Sequence, residues 1–132
     1  MSPTVIWTNG CFDILHVGHL AMLEYAKSKG QFLVVGVDTD ERVSENKGPL
    51  RPHNDLVNRM RMLRALECVD VVVCYGSDEE MCQEIENWKA DKIVVGSEYD
   101  GRRVVGSHLA EVDYFPRIGT HSSTEAINAL RI

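Results

Sequence analysis

Short apolar runs rich in valine and isoleucine alternate with helix-like stretches along this chain. The apolar runs contain few alternating polar residues, which is typical of strands buried on both faces of a sheet. We expect strands at residues 5–8, 32–37, 69–74, 92–95 and 112–115. We expect helices at residues 17–29, 39–45, 56–66, 78–88 and 122–130. Because strand–helix alternation implies right-handed crossovers, the predicted fold class is α/β, a Rossmann-like doubly wound domain with a five-stranded parallel sheet flanked by helices.

The length of 132 residues, with 44% hydrophobic and 26% charged residues, suits one globular domain over residues 1–132. No apolar run approaches the roughly 20 residues that a membrane helix needs. A strand-like segment begins almost at the N-terminus, so we expect no signal peptide. The four cysteines include no Cys-x-x-Cys pair, which indicates reduced thiols and a cytoplasmic protein.

Charge is distributed unevenly along the chain. The formal net charge of −6 argues against a nucleic-acid binder. Between Arg42 and Arg64, however, basic residues outnumber acidic ones, so the rest of the chain is strongly acidic. A basic island of this kind is what a polyphosphate site needs, because the local field attracts the anion. The alternative is an ordinary solvated helix face.

In doubly wound folds, ligands bind at the carboxyl ends of the strands, near the point where strand order reverses. His16 and His19 follow the first predicted strand and lie about one helical turn apart, so both can face one ligand. Gly18 between them allows close approach of a phosphate to the free amides of a helix start. The alternatives are a structural histidine pair, or a metal site completed by Cys11 or Asp13. The P-loop and dinucleotide-binding glycine patterns are both absent.

The string Gly-Cys-Phe-Asp-Ile-Leu-His-Val-Gly-His, residues 10–19, resembles the His-x-Gly-His element of the cytidylyltransferase-like nucleotidylyltransferases. The resemblance extends over nearly the whole chain. Residues 117–124 are similar to the second motif of that family, with Ser123 where the family has threonine. A Ser-Ser-Thr run that opens a helix is also ordinary N-cap chemistry.

Two branches of the family share features with the middle of the chain. Residues 47–52, with Arg59 and the segment 65–70, resemble the adenylyltransferase domain of bacterial ADP-heptose synthesis. Glu67 stands where glycerol-3-phosphate cytidylyltransferases usually have arginine, whereas residues 114–117 are more similar to that branch. Residues 94–99 match the loop that borders the base in both branches, with Ser97-Glu98 at its variable pair.

The resemblance implies a role for each matching residue. The implied catalytic residues are His16, His19, Lys47 and Arg117. The implied nucleotide-binding residues are Thr8, Asn9, Gly10, Cys11, Phe12, Gly18, Gly96, Glu98, Ser122, Ser123 and Thr124. The implied substrate-binding residues are Asp13, Arg51 and Arg59, for which a structural turn carboxylate and surface ion pairs are the alternatives.

We expect Lys47 to lie on a mobile loop that contains Gly48 and Pro49. The resemblance implies no metal held by the protein alone, and Mg²⁺ that arrives with the triphosphate.

The resulting hypothesis is a nucleotidylyltransferase that transfers a nucleoside monophosphate from a nucleoside triphosphate and releases pyrophosphate. The expected acceptor is a phosphorylated sugar of the heptose 1-phosphate type, with ATP as donor. One alternative uses CTP and glycerol 3-phosphate, and another is a nucleotide-binding sensor without turnover. The expected partners are ATP or CTP and a phosphorylated sugar or polyol, with neither nucleic acid nor membrane, in a homodimer.

Overall fold

The computed structural model describes residues 2–116. Within them, five strands form one sheet in which every neighbouring pair is parallel, in the order β3-β2-β1-β4-β5. The strands are β1 Val5–Gly10, β2 Phe32–Asp38, β3 Val71–Tyr75, β4 Lys92–Gly96 and β5 Glu111–Phe115. The expected five-stranded parallel sheet is therefore confirmed. The helix expected at residues 122–130 lies outside the described residues.

Within the described residues, four α-helices lie between strands: α1 Val17–Ser28, α2 Asp40–Lys47, α3 Leu56–Arg64 and α4 Asp78–Asn87. Thr39, Asp55 and Ser77 cap α2, α3 and α4, and each side chain accepts a backbone N–H from three residues further on. These short polar side chains satisfy amides that the helix itself leaves unpaired. No helix within residues 2–116 is both long and apolar enough to cross a membrane.

The sheet is covered on both faces, as a doubly wound fold requires. Along β2, Leu33, Val35 and Val37 belong to one buried cluster, which also contains apolar side chains of α1 and α3. Val34 belongs to a second buried cluster, to which α4 contributes Met81. Successive side chains of a strand point to opposite faces, so a run without polar residues serves both clusters.

Most boundaries differ by one or two residues from the sequence-based expectation, and two of these differences have an identifiable cause. Strand β3 begins at Val71 rather than at residue 69, because the carboxylate of Asp70 accepts a hydrogen bond from the backbone N–H of Leu33 at 2.7 Å. Helix α2 continues to Lys47, whereas we expected this residue on a mobile loop. Gly48 ends the helix with φ of 106° and donates its N–H to the carbonyl of Ser44 at 2.9 Å. Lys47 is therefore the last residue of a capped helix.

Replacing Gly36 with alanine is expected to destabilise the sheet. A Cβ at this position in β2 would lie 2.4 Å from Cζ2 of Trp7 and 2.9 Å from a ring carbon of Tyr75, both fully buried. Overpacking of this kind costs about 1–3 kcal/mol in the free energy of unfolding. Urea unfolding measures this loss of stability. Gly76→Ala is the control, because the nearest atoms to a Cβ at Gly76 would lie 3.5 Å away. Equal stabilities of the two variants would contradict the prediction.

Candidate active site

A cleft of about 600 Å³ opens at the carboxyl ends of β1, β2 and β4. Strand order reverses here, because β1 is followed along the chain by β2 on one side and is flanked by β4 on the other. Such a switch point is where ligands bind in open α/β sheets. The structure brings many of the sequence-predicted site residues together along its walls: Asn9, Gly10, Cys11, Phe12, His16, Gly18, His19, Lys47, Gly96 and Glu98.

His16 and His19 are held together by the start of α1. The ring of His16 caps the helix, since its Nδ1 accepts the N–H of Gly18 at 3.1 Å. His19 completes a reciprocal capping box, because its Nδ1 accepts the N–H of His16 at 3.3 Å. The two rings stack with centroids 3.8 Å apart and an interplanar angle of 25°. Local backbone chemistry therefore sets the position of both rings.

The same hydrogen bonds fix which ring nitrogen carries the proton. Because each Nδ1 accepts a backbone N–H, each neutral ring carries its hydrogen on Nε2. Burial lowers the pKa of His19 to about 4, and the charges of His16 and Lys47 act in the same direction. His19 is therefore neutral near pH 7 and presents an Nε2–H donor.

Phe12 supports the histidine pair from the cleft wall. Its backbone adopts a φ of 51°, which is uncommon for a residue with a side chain, and its ring is buried. That ring meets His19 edge-on, with centroids 5.3 Å apart. A Cβ on Gly10 would lie 3.2 Å from the Phe12 ring, so glycine leaves room for this turn.

Cys11 and Lys47 line the cleft beside the histidines. Burial raises the pKa of the Cys11 thiol, and the nearby positive charges of Lys47 and Arg59 oppose this only partly. A thiol with a raised pKa is a poor nucleophile, because the thiolate is the reactive form. This part of the cleft therefore offers hydrogen-bond donors and a cation, which suits an anion.

Thr8 has a structural contact instead of a place in the cleft wall. It is fully buried, and its hydroxyl donates to the backbone carbonyl of Val94 at 2.8 Å. We expected Thr8 to bind nucleotide, whereas the structure shows it joining β1 to β4 just below the cleft.

Asp13 and Arg51 also do not line this cleft. Asp13 is buried, and its carboxylate accepts hydrogen bonds from Nε of Arg51 at 2.8 Å and from the backbone N–H groups of His53 and Asn54. Burial alone would raise the pKa of Asp13, but these backbone donors and Arg51 together hold it below its usual value. The structure thus favours the alternative of a structural turn carboxylate over contact with substrate.

Arg59 is buried and forms an ion pair with a partly exposed carboxylate, whereas the alternative to substrate binding was a surface ion pair. It is 1% exposed, and Nη2 lies 2.6 Å from a carboxylate oxygen of Asp40. Nε donates to the carbonyl of Asn54, and Nη1 donates to the carbonyls of Cys11 and Asp38. All three guanidinium nitrogens are therefore engaged by the protein.

The remaining predicted residues, Arg117, Ser122, Ser123 and Thr124, lie outside the described residues. Conversely, the cleft is also lined by polar residues outside the catalytic, nucleotide-binding and substrate-binding sets expected from the sequence: Asp38, Arg42, Asn46, Tyr75, Tyr99 and Arg103. Asp38 could have been predicted from the sequence, because its carboxylate ends an otherwise apolar strand at the edge of the sheet where ligands bind. Within residues 2–116, no three histidine, cysteine or acidic side chains are grouped in a way that could hold a metal ion.

The depressed pKa of His19 predicts a pH-dependent stability. In the unfolded chain, His19 becomes protonated as the pH falls below its ordinary pKa of 6.5. In the folded protein, the same ring becomes protonated only near pH 4. The contribution of His19 to the free energy of unfolding is therefore fully present above pH 6.5. It decreases as the pH falls, by about 2 kcal/mol between pH 7 and pH 5. Urea unfolding at the two pH values measures this. His19→Gln retains a side chain suited to the capping box and should lose this part of the pH dependence. An unchanged dependence would contradict the assignment.

The cytidylyltransferase-like family model matches residues 7–118 of this chain. The bifunctional protein HldE of Campylobacter fetus is 43% identical over 129 residues, covering 97% of this chain and 28% of that protein. HldE of Helicobacter hepaticus is 41% identical, covering 96% of this chain and 26% of that protein. The chain thus spans about a quarter of the length of these curated relatives.

Solved structures agree with the fold. The lipopolysaccharide core biosynthesis protein from Thermoplasma volcanium superposes with a TM-score of 0.69 at 26% identity, covering 91% of this chain and 100% of that one. Pantothenate synthetase from Thermus thermophilus has a TM-score of 0.63 at 16% identity, over 89% of this chain and 57% of that one, and supports the fold alone. With the family model matching most of its length, the chain belongs to the cytidylyltransferase-like family and is a nucleotidylyltransferase.

Proposed function

We propose that this chain transfers a nucleoside monophosphate from ATP to a phosphorylated sugar of the heptose 1-phosphate type and releases pyrophosphate. The observation that carries the proposal is the stacked His16–His19 pair beside Lys47 in a cleft at the switch point of the sheet. Its donors and cation suit a polyphosphate, and its thiol is not activated. The site therefore supports transfer without a covalent enzyme intermediate.

In the proposed reaction, an oxygen of the acceptor phosphate attacks the α-phosphorus of the triphosphate in line. The bond between that phosphorus and the bridging oxygen to the β-phosphate breaks, and pyrophosphate leaves with the electron pair. The Nε2–H groups of His16 and His19 donate hydrogen bonds to oxygens whose negative charge grows in the transition state. Lys47 adds a positive charge at the same place. Arg117, Ser123 and Thr124 enter this proposal through the family motif alone.

Mg²⁺ would be bound mainly by the triphosphate. Asp38 and Glu98 are the acidic side chains among the described residues that line the cleft, and Asp38 already faces Arg42. Mg²⁺ commonly binds through substrate phosphates and water rather than through an all-protein cage, and this donor set fits that mode. The ion would supply charge neutralisation, while the histidines and Lys47 position the phosphates.

The choice of acceptor follows from the relatives. The sequence resembles the adenylyltransferase domain of ADP-heptose synthesis, the HldE proteins match nearly the full chain, and the superposed Thermoplasma volcanium protein is a lipopolysaccharide core biosynthesis protein. Glycerol 3-phosphate with CTP is the second candidate, because residues 114–117 are more similar to that branch. We further propose that the chain acts as a homodimer, which sedimentation velocity would test.

Pyrophosphate release tests the proposal directly. ATP and CTP are each combined, with Mg²⁺, with heptose 1-phosphate, other sugar 1-phosphates and glycerol 3-phosphate. Turnover with ATP and heptose 1-phosphate that disappears in His16→Ala would support the proposal, and His108→Ala is the matched control at an exposed histidine. Triphosphate binding without turnover over the whole panel would favour a sensor instead.

A further inference from the structure

The cleft continues beyond the histidine pair to the ends of two further strands. Asp38 is the last residue of β2, Tyr75 is the last residue of β3, and the sheet register pairs them. Arg42, one turn into α2, lies over the Tyr75 ring at 5.2 Å from its centroid. All three line the cleft. We refer to Asp38, Arg42 and Tyr75 as the strand-end pocket.

The hydroxyl of Tyr75 is buried in the strand-end pocket without a hydrogen-bond partner within residues 2–116. Nε of Arg42 also lacks hydrogen-bond geometry, but it lies 3.2 Å from a carboxylate oxygen of Asp38 and forms an ion pair with it. Tyr75 is 1% exposed, and burial, followed by the charge of Asp38, raises the pKa of its phenol. The phenol therefore remains a neutral O–H group. An unpaired buried hydroxyl is costly, so its presence in a cleft wall is explained if a ligand completes its hydrogen bonds.

The charges around the strand-end pocket are balanced. Arg42 lies 2.8 Å from a carboxylate oxygen of Asp78, and its Nε lies 3.2 Å from one of Asp38. Arg103 lies 3.2 Å from the other oxygen of Asp78. Two guanidinium groups thus face two carboxylates, which leaves no excess positive charge for a phosphate. Lys47 has no such partner among the ion pairs of the described residues, so the phosphates are drawn to its end of the cleft.

We propose that the strand-end pocket binds the uncharged hydroxyl groups of the acceptor's sugar or polyol. The Tyr75 hydroxyl can donate and accept, the Asp38 carboxylate accepts, and Arg42 holds that carboxylate in place through the ion pair at Nε. Donors and acceptors side by side suit neighbouring hydroxyl groups, each of which both donates and accepts. This proposal rests on the proposed function and assigns to these three residues the recognition of the acceptor. The acceptor phosphate then extends towards His16 and Lys47.

The test is Tyr75→Phe, which removes only the unpartnered hydroxyl. We expect the KM for the acceptor to rise about 10-fold, the usual effect of one lost neutral hydrogen bond, while the KM for the triphosphate stays unchanged. The thermal unfolding midpoint should stay the same or rise, because the folded protein loses an unsatisfied buried group. A tyrosine with only a structural role would not raise the KM for the acceptor while leaving the unfolding midpoint unchanged or higher.

The matched control is Tyr25→Phe, the same chemical change at a hydroxyl that has a partner. Tyr25 donates to a carboxylate oxygen of Asp113 at 2.7 Å and does not line the cleft. We expect this variant to unfold at a lower temperature and to keep the wild-type KM for both substrates. The pair of variants separates recognition of a ligand from stability of the fold.

Binding is also measured without turnover. Each sugar 1-phosphate and glycerol 3-phosphate is titrated calorimetrically into protein saturated with an α,β-methylene triphosphate, which cannot release pyrophosphate. Weaker acceptor binding by Tyr75→Phe supports the inference even if the wild type shows no turnover, an outcome that would count against the proposed function alone. Three results would overturn the inference. The variant could bind the acceptor as tightly as the wild type, it could change the affinity for the triphosphate alone, or the wild type could bind none of the acceptors.

Discussion

His16→Ala is expected to lower kcat by about 100- to 1000-fold, the usual loss for one donor that stabilises transition-state charge. The physical reason is that Nδ1 accepts a backbone N–H, which leaves Nε2–H fixed as the donor that the proposed reaction uses where charge develops. Since water in the vacated space is not held in a fixed orientation, it does not replace a preorganised donor.

The variant also removes a helix cap, and the two effects can be separated. Nδ1 of His16 accepts the N–H of Gly18, so alanine should cost about 1 kcal/mol in the free energy of unfolding. His16→Ser restores a capping oxygen without an imidazole. We expect both variants to lose turnover, and only the alanine variant to lose stability.

Steady-state pyrophosphate release and urea unfolding measure the two quantities, with His108→Ala as the control for a histidine outside the cleft. Substantial activity in His16→Ser would show that the ring matters only as a cap. That outcome would remove His16 from the reaction and leave His19 and Lys47 as the donors to the phosphates.

The fold could be predicted because its signals are local. The run from Phe32 to Val37 has no polar residue, and only a strand covered on both faces accommodates such a run in a small domain. The histidine pair could be predicted for a similar reason, since a spacing of three residues at a helix start places both rings on one side.

The strand-end pocket could not be predicted in the same way. Asp38 and Tyr75 become neighbours only through the register of β2 with β3, and Arg42 reaches them from another element. Arg59 shows the opposite failure: a positive charge in a basic segment indicated a phosphate ligand, whereas the folded chain surrounds it with its own carbonyl groups. Sequence gives the charge of such a side chain but not the acceptors that long-range contacts bring to it.

Arg59→Met is expected to lower the free energy of unfolding by about 3–5 kcal/mol. The change leaves the carbonyl groups of Cys11, Asn54 and Asp38 without the donor that now serves all three. A buried acceptor left unpaired costs about 1–3 kcal/mol. The bond to Cys11 is buried and the other two are partly buried, so the three together account for the expected loss. The carboxylate of Asp40 contributes less, because it is 45% exposed and water solvates it when the partner is gone.

Urea unfolding measures this loss, and Arg61→Met is the matched control on an exposed face of the same helix, where a change within about 0.5 kcal/mol is expected. Arg59→Lys separates charge from geometry: a single ammonium cannot reach four acceptors in different directions, so lysine should recover only part of the loss. Full recovery by lysine would show that charge alone matters. Because Nη1 of Arg59 donates to the carbonyls of both Cys11 and Asp38, Arg59 joins the loop that leads to the histidines to the strand-end pocket, and its loss should also lower turnover.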